Sequence, residues 1–365
     1  MKKGQMEKKN TKTTGKHIAR HILEFHFFSV AIILVLIIAG LVPFFLRFKR
    51  PFEFESGSRL VMGTFARVVI IANDKETAQE CAKNAFEEID KVDNLMSAYN
   101  EDSEISLINK EGFQREIPVS ESTFEVIQRS IEFGKLTDGA FDITLGPLIA
   151  LFRKEKETQI APTQEEINQA KSKVGYEKLI LNEKNKTVKF SIEGMKLDLG
   201  GIAKGFAIDK AIEAIKKSGA LGAMVDIGGD VRCFGQPSNG KENWLVGIQN
   251  PDLEENRTNS IILTLKIQEG AITTSGDYQQ FVVIDGKRQS HIIDRQTGSG
   301  AEGPSSVTII TDNATDADAL ATAVSVMGIE KGLALIEKLD NTEAILFTSE
   351  ESEAIMTTGA EKYIQ

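Results

Sequence analysis

Histidine is almost missing from this chain of 365 residues, with four in all. His17, His21 and His26 precede a long apolar stretch, so His291 is the single imidazole of everything that follows it. Cysteine is scarcer still. Cys81 and Cys233 supply neither a disulfide framework nor the paired spacing of a zinc site, and with one imidazole beyond the apolar stretch no zinc or haem centre is expected. Positive charge is in deficit: 43 Lys and Arg stand against 53 Asp and Glu, for a net charge of −10. A polyanion needs a basic surface, so general nucleic-acid binding is excluded. What remains is ordinary globular composition, with material for one large or two modest domains.

The apolar stretch is itself informative. Phe27 to Leu46 carries no charged residue and is long enough to span a bilayer core. Lys2, Lys3, Lys8, Lys9, Lys12, Lys16 and Arg20 precede it, while Arg47, Lys49 and Arg50 alone follow closely. The charge bias predicts a cytoplasmic basic tail (1–26), a transmembrane signal-anchor (27–46), a tether (47–57) and one extracytoplasmic domain (58–365). No small-residue cleavage site follows the stretch and no Cys ends it, so an uncleaved anchor is expected rather than a signal peptide or a lipoprotein.

Within the domain, Arg59–Ile71 reads as a strand interrupted at Gly63, and Thr77–Asn94 as a helix with Ala78, Cys81, Ala82, Ala85, Phe86, Ile89 and Val92 on one face. Thr123–Leu136 is a second amphipathic helix. It runs into Thr137–Pro147, whose two Asp, two Gly and one Pro mark a loop that must hold a shape. Phe152–Thr163 is charged and expected at the surface, and Leu179–Phe190 reads as a hairpin turning at Asn182–Lys186. Leu197–Phe206 enters a Gly turn and then a helix to about Lys217. Such a turn exposes backbone N–H groups to an anion, although it matches neither the dinucleotide fingerprint nor the P-loop.

The stretch from Ser290 to Thr322 gathers the most chemistry. Ser-His-Ile-Ile-Asp (290–294) leads through a Gly-rich loop and a Val-Thr-Ile-Ile strand (307–310) to an Ala-rich helix from about Thr315. On that helix Asp318 and Thr322 are four residues apart and share a face. A carboxylate beside a hydroxyl is the hard-oxygen pairing that Mg²⁺ uses. The plainer alternative is that Asp316 and Asp318 complement the helix dipole and cap its first turn.

Taken in order, MGT (62–64), MSAYNEDSEIS (96–106), TDGAFDITLGPL (137–148), LDLGGIAKGFAID (197–209), VDIGGD (225–230), TSGDY (274–278), HIIDRQTG (291–298) and DADALATA (316–323) resemble the ApbE family of FAD:protein FMN transferases. The resemblance covers nearly all of 58–359. It implies an α+β fold with a T-fold-like core of mixed or antiparallel sheets, with FAD as substrate and Mg²⁺ as metal. The implied reaction joins FMN to a Thr or Ser hydroxyl of an extracytoplasmic acceptor flavoprotein and releases AMP. It also implies Asp318 and Thr322 as metal ligands with a backbone oxygen from Gly201. Met62, Tyr99, Ala140, Phe141, Asp142, Asp198 and Lys204 would lie around FAD, with Ser275, Gly276 and His291 near the flavin or pyrophosphate. Phosphoryl transfer needs charge neutralisation and positioning, and a base for the incoming hydroxyl adds on the order of 10²–10⁴-fold. His291 is the candidate base and Asp294 the candidate to orient it, against a turn-capping reading for Asp294.

One position departs from the family, which commonly has Pro where this chain has Arg295. Losing the fixed φ of Pro is expected to leave the loop freer and to add a charge near the phosphate. No stretch resembles the family's acceptor consensus, so self-modification is not expected. Two alternatives stay open: a Mg²⁺-dependent FAD pyrophosphatase, with water as acceptor, and a non-catalytic flavin-binding protein.

Overall fold

The computed structural model describes residues 30, 32–37, 51–238, 240–251, 261–276, 281–284, 287–348 and 354–365, and it divides into the units Met1–Arg50 and Pro51–Gln365. In the first unit, residues 30 and 32–37 are helical. The rest of the expected anchor, like the tail 1–26, lies outside the described residues. Among the described residues no helix is long and apolar enough to cross a membrane.

The second unit is built on runs of alternating burial. Its strands are β1 (Phe52–Glu55), β2 (Arg59–Val61), β3 (Thr64–Ala72), β4 (Ile117–Pro118), β5 (Leu179–Asn182), β6 (Thr187–Phe190), β7 (Gly222–Ile227), β8 (Asp230–Phe234), β9 (Trp244–Gln249), β10 (Ile261–Ile267), β11 (Gly270–Gly276), β12 (Phe281–Ile284), β13 (Lys287–Ser290), β14 (Ser306–Thr311), β15 (Glu343–Phe347) and β16 (Ile355–Met356). Nine of them form one sheet in the order β1-β3-β7-β8-β11-β14-β15-β16, with β2 also on β3, and every pairing in it is antiparallel.

Side chains leave each strand alternately to its two faces, and both faces are covered. Val68, Ile70, Val225, Val307, Ile309 and Leu346 point into the larger core. Val69, Ile71, Met224, Ile310, Ile345 and Phe347 point the other way, where the β9–β10 ribbon brings Trp244, Val246, Ile248, Leu265 and Ile267 against them.

The larger core lies under helices. These are α1 (Lys75–Met96), α2 (Glu104–Glu111), α3 (Glu121–Leu136), α4 (Gly146–Thr158), α5 (Gln164–Ser172), α6 (Ala203–Lys217), α7 (Ala314–Met327) and α8 (Ile329–Ile336). α1 starts where Asp74 accepts the Thr77 amide at 2.9 Å, and it buries Ala78, Cys81, Ala85 and Ile89. It packs on α6, α6 packs on α7, and α7 lies over β11 and β14.

The expected strand 59–71 is instead the β2–β3 hairpin. Met62 (φ 48°) and Gly63 (φ 73°) form its two-residue tip, a left-handed pair that a continuous strand could not contain. Residues 152–158, expected as charged surface, continue α4, which ends at a left-handed Gln159. The hairpin read at Leu179–Phe190 is β5–β6.

Candidate active site

Two helix starts meet at the centre of the site and cap each other. α6 begins at Ile202, whose side chain caps nothing. The orphan Gly205 amide instead donates to Asp318 Oδ2 of α7 at 3.0 Å. In return Asp209 of α6 accepts the Ala314 and Thr315 amides of α7, both at 2.9 Å, and the Thr315 hydroxyl at 2.5 Å. Arg232 of β8 donates to Asp209 at 2.6 Å and balances its charge. The helices approach so closely that a Cβ on Gly205 would run into the Ala314 carbonyl oxygen. The cap on α7 itself is Asn313, and Asp316 turns to Arg129 at 2.9 and 2.8 Å. Asp318 therefore does not cap its own helix. It caps its neighbour.

Beside Asp318 stand a half-buried ammonium and a buried carboxylate. Lys204, one residue before Gly205, pairs with Asp230 of β8, whose other oxygen accepts the Thr274 amide at 3.0 Å. Burial pulls the Lys204 ammonium down, but the carboxylates of Asp230 and Asp318 outweigh it and hold the ammonium above its ordinary range. Burial pushes the Asp318 carboxyl up to about 6, against the pull of Lys204 and with a push from Asp230. Thr322 lies one turn further along α7. A Cβ on Gly201 would sit 2.9 Å from its Oγ1 and 3.3 Å from the Phe141 ring, so the Gly turn is pressed against Thr322 because it has no side chain.

These residues fit a hard divalent cation. Asp318 is 4 % exposed, and its raised pKa marks a carboxylate short of compensating positive charge. The Thr322 hydroxyl and the Gly201 backbone add the oxygen types Mg²⁺ takes. Among the described residues no group of three or more His, Cys, Asp or Glu forms a protein-only cage. A one-carboxylate Mg²⁺ site draws the remainder of its shell from phosphate and water.

The other expected residues fall into three groups. At the turn, Asp198 accepts the Gly200 amide at 2.9 Å and faces Arg153 of α4 at 3.4 Å. Arg153 also donates to the Tyr99 hydroxyl at 2.7 Å and stacks over its ring at 4.4 Å. Tyr99 is 77 % exposed, so its ring is a surface platform and not core.

Phe141 is core: it is 2 % exposed and meets Phe133 edge-on at 6.0 Å, forming the floor under Gly201 and not a free stacking face. Asp142 is buried and fully engaged, taking Thr144 N at 2.8 Å, Thr144 Oγ1 at 2.6 Å, Tyr176 N at 3.1 Å and Arg295 Nη1 at 2.9 Å. Ala140 donates its amide to Thr137 in the same loop.

Elsewhere, Met62 donates its amide to Asp93 at 3.3 Å, and Ser275 and Gly276 end β11 opposite Val307 and Ser306. His291 opens the loop after β13, half-buried, and the Asp294 carboxylate accepts the Gln296 amide at 2.8 Å, as a turn cap does. The expectation that Arg295 leaves this loop freer is overturned. Its guanidinium bridges to Asp142, so the charge is spent on a buried carboxylate and the loop is tied down.

No role was expected for four residues that organise the site. Asp209 and Asp230 carried a signal, since they close the motifs 197–209 and 225–230. Arg153 and Arg232 carried none, because their partners come from distant segments.

The α+β fold, with its antiparallel sheet, is shared with solved flavin transferases. The flavin transferase ApbE from Vibrio cholerae superposes with a TM-score of 0.75 at 30 % identity, over 86 % of this chain and 99 % of that one. The ApbE protein from Thermotoga maritima gives 0.76 at 30 % identity, over 87 % and 100 %. The ApbE family model matches residues 62–346. A Vibrio cholerae protein named FAD:protein FMN transferase is 34 % identical over 315 residues, 84 % of this chain and 90 % of its own length. The Escherichia coli K12 protein of the same name is 33 % identical over 282 residues, 76 % and 79 %. The chain belongs to the ApbE family.

Proposed function

We propose that this chain transfers FMN from FAD to a Thr or Ser hydroxyl of an extracytoplasmic protein, with Mg²⁺, and releases AMP. The observation that carries the reading is the buried Asp318 carboxylate, one turn from Thr322 and against the Gly201 turn, in a chain whose curated relatives are named FAD:protein FMN transferase.

Asp318, Thr322 and the Gly201 backbone would hold a Mg²⁺ ion, which would supply charge neutralisation to the pyrophosphate. Lys204, held in place by Asp230, adds a fixed positive charge beside it. The exposed Tyr99 ring with Arg153 offers a stacking face to an aromatic ring. His291 accepts the proton of the incoming hydroxyl. The domain works outside the cytoplasmic membrane, held by the apolar stretch 27–46; support comes from the Lys and Arg excess before that stretch.

The test is to incubate the full chain with FAD, Mg²⁺ and a protein bearing Asp-Gly-x-Ser/Thr-Gly-Ala-Ser/Thr, and to follow intact masses. A gain of one FMN on the acceptor, lost in Asp318→Ala, is the expected result. AMP and free FMN with an unmodified acceptor would replace transfer by hydrolysis, and intact FAD throughout would overturn both.

A further inference from the structure

The loop after β13 is a closed body. Asp294 donates its amide to Ser299 at 2.9 Å, Gly298 donates to Asp294 at 2.7 Å, and Ala301 donates to Ile292 at 2.7 Å. Besides Lys171 of α5, which donates to the Gln296 carbonyl oxygen, two side chains of the loop fasten this body to the molecule. The first is Ile293, 4 % exposed in a small cluster with Leu148, Ala170 and Val174. The second is Arg295, whose Nη1 lies 2.9 Å from Asp142 Oδ2 and 3.6 Å from Glu177, with the guanidinium 5.7 Å from the centre of the Tyr176 ring. Gly139 makes room for it: a Cβ there would stand 2.6 Å from Nη1.

Asp142 is fixed independently by Thr144 and Tyr176, so the second fastening point is rigid on its far side. A closed loop held at two points can still turn about the line between them; held at a third, it has one orientation. His291 stands two residues before the first anchor and inherits that orientation. An exposed ion pair would contribute no more than about 1 kcal/mol. Here the Asp142 side chain has no exposed surface, so removing Arg295 leaves an uncompensated buried carboxylate, which is the costlier case.

We propose that Arg295 is a positioning residue: its ion pair with Asp142 sets the orientation of the 291–301 loop and with it the placement of His291. The catalytic part of this inference rests on the proposed flavin transfer; the structural part does not. In the full chain, the His291 ring resonance is identified as the one lost in His291→Gln, and it is followed in Arg295→Ala, Arg295→Lys and Glu177→Ala. Arg295→Ala should shift or split that resonance and lower kcat for transfer by about tenfold to a hundredfold, with KM for FAD little changed, as misplacement of a reacting group does. Arg295→Lys should restore both, and Glu177→Ala should leave both as in the parent. If Arg295→Ala does not fold, Arg295→Gln takes its place.

An unchanged His291 resonance overturns the inference, whatever happens to kcat. A shifted resonance with full kcat overturns it equally. Should the parent chain transfer no FMN, the proposed function falls, and the resonance alone decides whether Arg295 orients the loop.

Discussion

Asp318 has two parts to play with one carboxylate: it stops the amide of Gly205 from being orphaned, and in the proposed function it would supply the negative charge that holds a cation. Asp318→Asn keeps an oxygen for that amide and removes the charge. It should therefore fold, yet lose flavin transfer by more than about a hundredfold and lose Mg²⁺ stabilisation in a melting assay. The pH dependence follows from burial, which raises its pKa to about 6. A carboxyl raised above its unfolded value favours folding when protonated. Its contribution is fully present below the unfolded value and lost as pH rises through about 6. Cation binding runs the opposite way, strong above that pH and weakening by about tenfold per unit below it, because proton and metal compete. Titrating Mg²⁺ from pH 5 to 8 in the parent and Asp318→Asn checks both signs. The i,i+4 spacing made Asp318 and Thr322 legible in the sequence. The Lys204–Asp230 pair was not, because a helix start and a strand must first be brought together.

Among the elements, α6 and α7 depend on each other. Asp209→Ala removes the acceptor of two amides and a hydroxyl at the start of α7 and strands Arg232. Unfolding in urea should show a loss of about 3 kcal/mol, since breaking a buried pair costs more than losing a cap. Gly205→Ala should be at least as damaging, because its methyl meets backbone, which cannot turn aside as a side chain can. The helices themselves were well marked. The apolar stripe read over 77–94 lies within Lys75–Met96, and the stretch read from Thr123 to Leu136 is Glu121–Leu136. The β2–β3 hairpin was hidden because Met62 stands at a left-handed φ that no sequence pattern announces. Arg295 was misjudged for a related reason: the local effect of lacking Pro was visible, and the distant carboxylate that compensates was not.

At the scale of the whole second unit, two cores share one sheet, each strand sending alternate side chains to either face. Neither core can be lost without loosening the strands that carry the other. Trp244, the one Trp in the chain, is 6 % exposed in the smaller core, while the helices cover the larger. Its fluorescence and the far-ultraviolet circular dichroism should therefore report one midpoint in denaturant; two midpoints would mean that the ribbon unfolds separately. The order of the motifs made the family legible, whereas the pairing of β3 with β7 or β8 with β11 rests on contacts between distant segments. The cross-capped helices set a further constraint, on length. Gly205 and Asp209 are four residues apart, as are Ala314 and Asp318, so each helix carries the same ruler from amide to carboxylate. One inserted residue turns the carboxylate by about 100° and advances it about 1.5 Å, which breaks the bonds it makes to the other helix. A scan of single-residue insertions should find two short, matched intolerant windows here, while the exposed connection at 159–162 accepts them.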